Sequence, residues 1–220
     1  MKIELMASMM CADFGNLRGE IRVLEEAGID SFHIDIMDGR FVENFAMSLN
    51  DLSFLSKNAN RPIDLHLMIE NPLRYMDIFL RKIRPGDTVY IHPESEYHMS
   101  NTMNKIIERG MVPGVALNPC TSIENVKECL YLAKKVLVMT VDTGEAGMPY
   151  QSFVSDKIKR LIEMKEEYGF KIYLDGACND TRIIDFSNKG VDGFVLGSSL
   201  LFTPEKDYKK TILQLRNGSD

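Results

Sequence analysis

Three observations predict an α/β fold closed as a single (β/α)8 TIM barrel over residues 1–220. Amphipathic stretches end in glycine and pass at once into short β-branched or aromatic runs. Eight such runs start roughly 22 to 35 residues apart, which leaves room for a strand and a returning helix, because a crossover needs at least about 10 to 12 residues. The composition, 45% hydrophobic and 26% charged over 220 residues, suits one barrel somewhat shorter than the typical ~250. A doubly wound open sheet is the alternative that spacing alone leaves open.

Taken in order, the strand candidates begin with Ile3 to Ala7, Ser31 to Ile36, Ile63 to Met68 and Thr88 to His92. Val112 to Leu117, Val136 to Val141, Lys171 to Leu174 and Gly193 to Leu196 complete the eight. Gly28, Gly110, Gly169 and Gly190 stand where a left-handed residue closes a helix just before a strand. Leu17, Ile21 and Leu24 form a helical stripe ahead of Gly28, and Met103, Ile106 and Ile107 form another ahead of Gly110. Thr121 and Glu124 have the spacing of a capping box that opens a helix toward Leu132. The longest insertion, 142–156, follows the sixth strand and is the candidate lid.

Charge and composition exclude several classes of function. Twenty-six Lys and Arg against thirty-two Asp and Glu give a net charge of −6, so no basic face advertises nucleic-acid binding. No apolar run reaches the ~18 residues of a membrane span. Glu4 interrupts what would be the apolar segment of a leader, so Met1 to Leu5 reads as the start of the first strand. Cys11, Cys120, Cys129 and Cys178 are scattered without a CxxC pair, which points to free thiols and a reducing, cytoplasmic setting.

In a barrel of this kind the chemistry gathers at the C-terminal strand ends. Ser8 ends the first strand, His33 and Asp35 the second, His66 the third and His92 the fourth. Asn118, Asp142, Asp175 and Gly197-Ser198 end the other four, whereas Lys135 and Lys171 begin their strands and belong to the opposite rim. His33 and Asp35 are two apart, so they share one strand face. With His66 and Asp175 they make two imidazoles and two carboxylates, a donor set that divalent zinc, manganese or iron accepts. His92 and His98 carry no comparable pattern, and His98 reads as surface. Glycines cluster after three adjacent strands: Gly144 and Gly147, then Gly176, then Gly197 with Ser198. Backbone N–H groups there, with a short helix N-terminus, can hold a phosphate without a lysine clamp.

The stretches ASMMCADF, HIDIMDGRFVEN, DLHLM, VMTVDTGEAG, LDGACND and LGSSLLF, in this order, resemble the ribulose-phosphate 3-epimerase family. LDGACN, IHPE, LNP and GSSLLF are more similar to its D-allulose-6-phosphate 3-epimerase branch than to the pentose enzymes. The resemblance implies a barrel of the ribulose-phosphate-binding type, a metal-dependent inversion of C3 in a phosphorylated ketose, and a homo-oligomer. It implies one divalent ion, zinc first and manganese, cobalt or iron also compatible, held by His33, Asp35, His66 and Asp175. It further implies Asp35 and Asp175 as the acid and base, one on each face of the substrate, and Ser8 and His66 as contacts to the sugar. Phosphate would sit on Gly144, Glu145, Ala146 and Gly147, on Gly176 and Ala177, and on Gly197 and Ser198. Met37, Met68 and Met139 would line the pocket near the reacting carbons. The implied chemistry suits these residue types: the C3 proton is acidified by the neighbouring carbonyl, and two opposed carboxylates can remove it on one face and return one on the other.

The lid departs from the family pattern, since TGEAGMPY replaces the usual PGFGGQ and puts Thr143, Glu145 and Met148 where Pro, Phe and Gln are expected. Glu43 likewise replaces a Pro. Two enzymatic rivals lack their residue. A keto-sugar-acid decarboxylase on such a barrel carries Asp-x-Lys, where this chain has Asp35-Ile36-Met37, and a Schiff-base aldolase needs a lysine at a strand's C-terminal end. A sugar-phosphate-binding barrel without activity is the rival of another class; it has no use for two opposed carboxylates.

Overall fold

The computed structural model describes residues 3–204 and 207–218. Met1 and Lys2, and the last two residues of the chain, lie outside the described residues. Eight parallel strands close into one barrel in sequence order. They are β1 (Glu4–Ser8), β2 (Ser31–Met37), β3 (Ile63–Met68), β4 (Thr88–Ile91), β5 (Val112–Leu117), β6 (Lys135–Met139), β7 (Lys171–Asp175) and β8 (Gly193–Leu196). The helices are α1 (Leu17–Ala27), α2 (Leu49–Asn58), α3 (Met76–Leu80), α4 (Met99–Glu108), α5 (Val154–Tyr168), α6 (Asp180–Lys189) and α7 (Tyr208–Asn217). Every strand but β5 is followed by one of them. No helix among the described residues is long and apolar enough to cross a membrane.

The strands lie where eight apolar runs were expected, because strands buried on both faces read as continuous hydrophobic stretches. In β2, Phe32, Ile34 and Ile36 face the helices, while His33 and Asp35 face the barrel axis. Gly28, Gly169 and Gly190 cap α1, α5 and α6 in the left-handed conformation, as the glycine pattern predicts. Two expectations need correction. No α-helix spans Thr121 to Leu132; two 3-10 turns, Ile123–Asn125 and Lys127–Tyr131, take its place. Ser122 is the cap, while the Thr121 hydroxyl donates to Glu94 instead. In α4, Met103 and Ile106 are buried, but Ile107 faces solvent.

Inside the barrel, side chains fill successive layers. The rim at the strand N-termini is ionic. Lys135 donates to the buried Asp64 at 2.9 Å, and Lys171 donates to Glu4 at 2.6 Å. Above it lie Met6, Tyr90, Leu137, Tyr173 and Val195. Two strand glycines make room for the rings. A Cβ on Gly114 would stand 2.3 Å from the Tyr90 ring, and one on Gly193 would stand 2.7 Å from the Tyr173 ring. The floor is therefore plugged, and the cleft opens only at the other end.

The seam between β1 and β8 pairs Glu4 with Gly193 and Ala7 with Leu196. Arg216 of α7 fastens it from outside by donating to the Gly28 carbonyl at 2.7 Å and the Asp30 carboxylate at 2.8 Å. The Asp30 carboxylate in turn accepts the Leu5 N–H at 2.8 Å.

Candidate active site

Adjacent strands in register carry the polar groups to one rim. Ser8 pairs with His33 across β1 and β2, Asp35 pairs with His66 across β2 and β3, and Met139 pairs with Asp175 across β6 and β7. The structure brings together the four residues read as a donor set. One ligand atom from each of His33, Asp35, His66 and Asp175 lies within 4.8 Å of the other three. His66 Nδ1 is 3.0 Å from Asp35 Oδ1 and 3.7 Å from Asp175 Oδ2. His33 Nε2 is 3.3 Å and 3.6 Å from the same two oxygens. Ser8 Oγ donates to Asp35 Oδ2 at 3.2 Å.

The electrostatics favour a cation at this point. Burial alone would push the His33 pKa down, but the Asp35 charge and the hydrogen bonds to Asp175 and Asp35 win and push it well up. Burial likewise opposes the charge on Asp35, yet the neighbouring His33 ring holds its carboxyl well below the usual carboxylate range. Two carboxylates thus hold positive charge here, in the form of a proton on His33, and a divalent ion would compete for the same place. The donor set fits such an ion: two imidazole nitrogens and two carboxylate oxygens converge, and the remaining directions open into the cleft.

Ser8, Asp35 and Asp175 form the floor of that cleft, with Met37, Met68 and Met139 as walls. All the residues expected to hold phosphate reach it: Gly144, Glu145, Ala146 and Gly147, then Gly176 and Ala177, then Gly197 and Ser198. Gly176 has φ +104, and a Cβ there would stand 2.5 Å from Val141 Cγ2, so only glycine lets the backbone approach the cleft. After β8 the chain makes a turn, with the N–H groups of Leu200 and Leu201 on the Gly197 carbonyl, where a short helix was expected.

The 142–156 loop covers one side of the mouth, although its last residues, from Val154, already belong to α5. Asn44 donates to the Gly144 carbonyl at 2.7 Å, and the Thr143 hydroxyl donates to Asn118. Glu145 is exposed at the lip, with no basic side chain among the residues lining the cleft. Lys157 donates to the Asn118 and Pro119 carbonyls, at 2.6 and 2.8 Å, and is used up there.

His98 is exposed, as expected, but His92 is a residue that the sequence reading missed. It is fully buried, and its Nε2 lies 2.8 Å from Nε2 of His66. Burial pushes its pKa down to about 4, so the ring is neutral. The available signal was parity: His92 is two residues beyond Tyr90, which pairs with His66.

Comparison with known proteins agrees with this architecture. Residues 4–201 match the profile described as the ribulose-phosphate 3 epimerase family. A ribulose-phosphate 3-epimerase from Methanocaldococcus jannaschii is 35% identical over 219 residues, 99% of this chain and 91% of its own. One from Bacillus subtilis is 34% identical, over 98% of this chain and 99% of its own. Among solved structures, phosphoribosyl anthranilate isomerase from Thermococcus kodakaraensis superposes with a TM-score of 0.64 at 14% identity, covering 99% of this chain and 98% of its own, which is a likeness of fold alone. The chain belongs to the ribulose-phosphate 3-epimerase family, and it is an isomerase.

Proposed function

We propose that the protein inverts C3 of D-allulose 6-phosphate, in a metal-dependent reaction that uses Asp35 and Asp175 as the proton-transferring pair. The convergence of His33, Asp35, His66 and Asp175 within 4.8 Å at the foot of the cleft carries this reading. Bound to those four residues, a divalent ion, zinc first, would supply Lewis-acid stabilisation of negative charge developing on the sugar's C2 and C3 oxygens. Asp35 and Asp175 come from strands separated by β1 and β8, so a ketose lying between them presents one face of C3 to each. One carboxylate takes the C3 proton; the other, as the acid, returns a proton to the opposite face, and the configuration inverts. Ser8, bonded to Asp35, orients that carboxyl and reaches the sugar. Met37, Met68 and Met139 exclude water without offering a proton that could quench the intermediate.

The phosphate would rest on backbone N–H groups of the loops after β6, β7 and β8, under the 142–156 lid. The assignment to a hexose phosphate rests on the LDGACN, IHPE, LNP and GSSLLF details. The names of the relatives favour a second reading, ribulose 5-phosphate as the substrate. Exposed Phe45, Tyr75 and Ile78 support assembly as a homo-oligomer, and four free cysteines support a reducing, cytoplasmic setting. The test is incubation of metal-loaded protein in D₂O with each sugar phosphate, following C3 by NMR. Deuterium at C3 together with the epimer is expected, faster with the hexose. A faster pentose reverses the substrate assignment, and no exchange with either sugar leaves a binding protein.

A further inference from the structure

His66 has two ring nitrogens and two different neighbours. Nδ1 faces the carboxylates, while Nε2 meets Nε2 of His92 at 2.8 Å. The ring centroids are 5.0 Å apart and the planes differ by only 27°. With the nitrogens so close, the rings meet end to end, the N–H of one aimed at the lone pair of the other, rather than face to face. Two nitrogens at this distance share one proton, so one ring donates and the other accepts.

We infer that His92 is a positioning residue: when a metal ion is held, it accepts the Nε2–H of His66 and thereby keeps Nδ1 of His66 bare, as the ligand atom beside Asp35 and Asp175. This rests on the metal reading above, in which Nδ1 of His66 is a ligand atom. The surroundings of His92 select the direction. Its own Nδ1 has no hydrogen-bond partner at bonding distance, and Glu94 Oε2 lies 3.7 Å from it. A protonated Nδ1 faces that carboxylate favourably; a bare lone pair would meet like charge. Glu94 is itself fixed by the Thr121 hydroxyl, from the neighbouring loop after β5. His92 cannot turn away, because it is fully buried with the Phe41 ring 4.9 Å from its own. A metal-ligating imidazole that donates its second N–H to a fixed acceptor has its tautomer and ring angle set, and loss of such a partner lowers metal affinity by about 10–100-fold.

The test pairs two measurements that do not depend on turnover. Long-range ¹H–¹⁵N NMR of the zinc-loaded protein should find His92 protonated at Nδ1 and bare at Nε2; a proton on Nε2 of His92 in that state overturns the inference. Zinc affinity is then read by chelator competition in the parent, His92→Phe and His92→Gln. Phe keeps a ring against Phe41 without an acceptor and should weaken zinc binding by about 10–100-fold. Gln carries an amide oxygen at similar reach and should stay within about threefold of the parent, since the acceptor is restored. Equal affinity in all three, or an equal loss in both variants, refutes the positioning role. Failure of the parent itself to bind zinc, manganese, cobalt or iron refutes the metal reading instead. If His92→Phe does not fold, the tautomer assignment and His92→Gln still decide.

Discussion

The ionic floor of the barrel offers a perturbation whose cost follows from the structure. Asp64 is fully buried and, among the described residues, has Lys135 as its cationic partner at 2.9 Å, with a further hydrogen bond from Ser31. In Lys135→Met the stem still packs on the Tyr173 ring, over which the ammonium sits at 4.7 Å, but the buried carboxylate loses its counter-charge. Breaking a buried pair from one side costs about 3–5 kcal/mol, a large part of the roughly 5–15 kcal/mol that holds a protein together. For a chain of this size that is a fall in Tm of about 6–20 °C. The pH dependence gives a second check. Burial raises the Asp64 pKa, but Lys135, with hydrogen bonds from Ser31 and Thr88, outweighs it and holds the folded value below the unfolded one. In the parent that depressed pKa contributes stability above the unfolded pKa, and the contribution is lost as pH falls through the folded value. Without Lys135 only the Ser31 and Thr88 hydrogen bonds oppose burial, the depression is lessened, and the deficit relative to the parent shrinks toward acid pH. Urea unfolding followed by circular dichroism at neutral and mildly acid pH reads both effects, and zinc affinity should stay unchanged because the pair lies at the far rim. A loss under about 1 kcal/mol, or Asp64→Leu/Lys135→Met no more stable than Lys135→Met, refutes the reasoning, since removing both charges should recover most of the loss.

Three further outcomes are expected. Asp175→Asn should lower kcat by at least about 10²–10⁴-fold while metal and a phosphate ligand remain partly bound, and turnover near the parent rate in a C3-exchange assay would remove Asp175 from the proton-transfer pair. Because His33 is held protonated and a ligating ring must be neutral, metal binding should eject a proton, so the zinc Kd should fall about tenfold per pH unit between pH 6 and 8, and a flat profile in competition titrations contradicts this. Glu145→Gln removes a negative charge from the lip of the cleft proposed to hold phosphate and should lower KM about two- to fivefold at unchanged kcat, the scale of an exposed charge interaction; a rise in KM would mean that Glu145 makes a required contact.

The strands and the donor set were legible for one reason: both depend on short-range pattern. Runs such as Ile63 to Met68 are apolar on the face toward the helices and mixed toward the axis, and the His33-x-Asp35 spacing puts two donors on one side of one strand. What escaped depends on contacts between distant segments. His92 stands alone in its run, and its importance comes from a ring 26 residues earlier. The capping-box reading of Thr121 failed because the Thr121 hydroxyl is engaged by Glu94, 27 residues before it, which leaves Ser122 to start a 3-10 turn. The position of Glu145 at the lip was readable only as a departure from pattern, since its direction is set by Asn44 and Asn118 holding the neighbouring residues.

The seam at β1 and β8 has a consequence for synthesis on the ribosome. β1 leaves the exit tunnel early, yet one of its two edges pairs only with Gly193 to Leu196, and the clasp by Arg216 arrives later still. Until β8 emerges, therefore, the nascent barrel is an open, curling sheet with a bare edge on β1, the state most exposed to pairing with a neighbouring chain. Such a barrel should depend on chaperone shelter, or on slow, undisturbed elongation, until β8 and α7 emerge. A ribosome-stalled series ending before and after β8 should show protease resistance appearing abruptly rather than growing strand by strand.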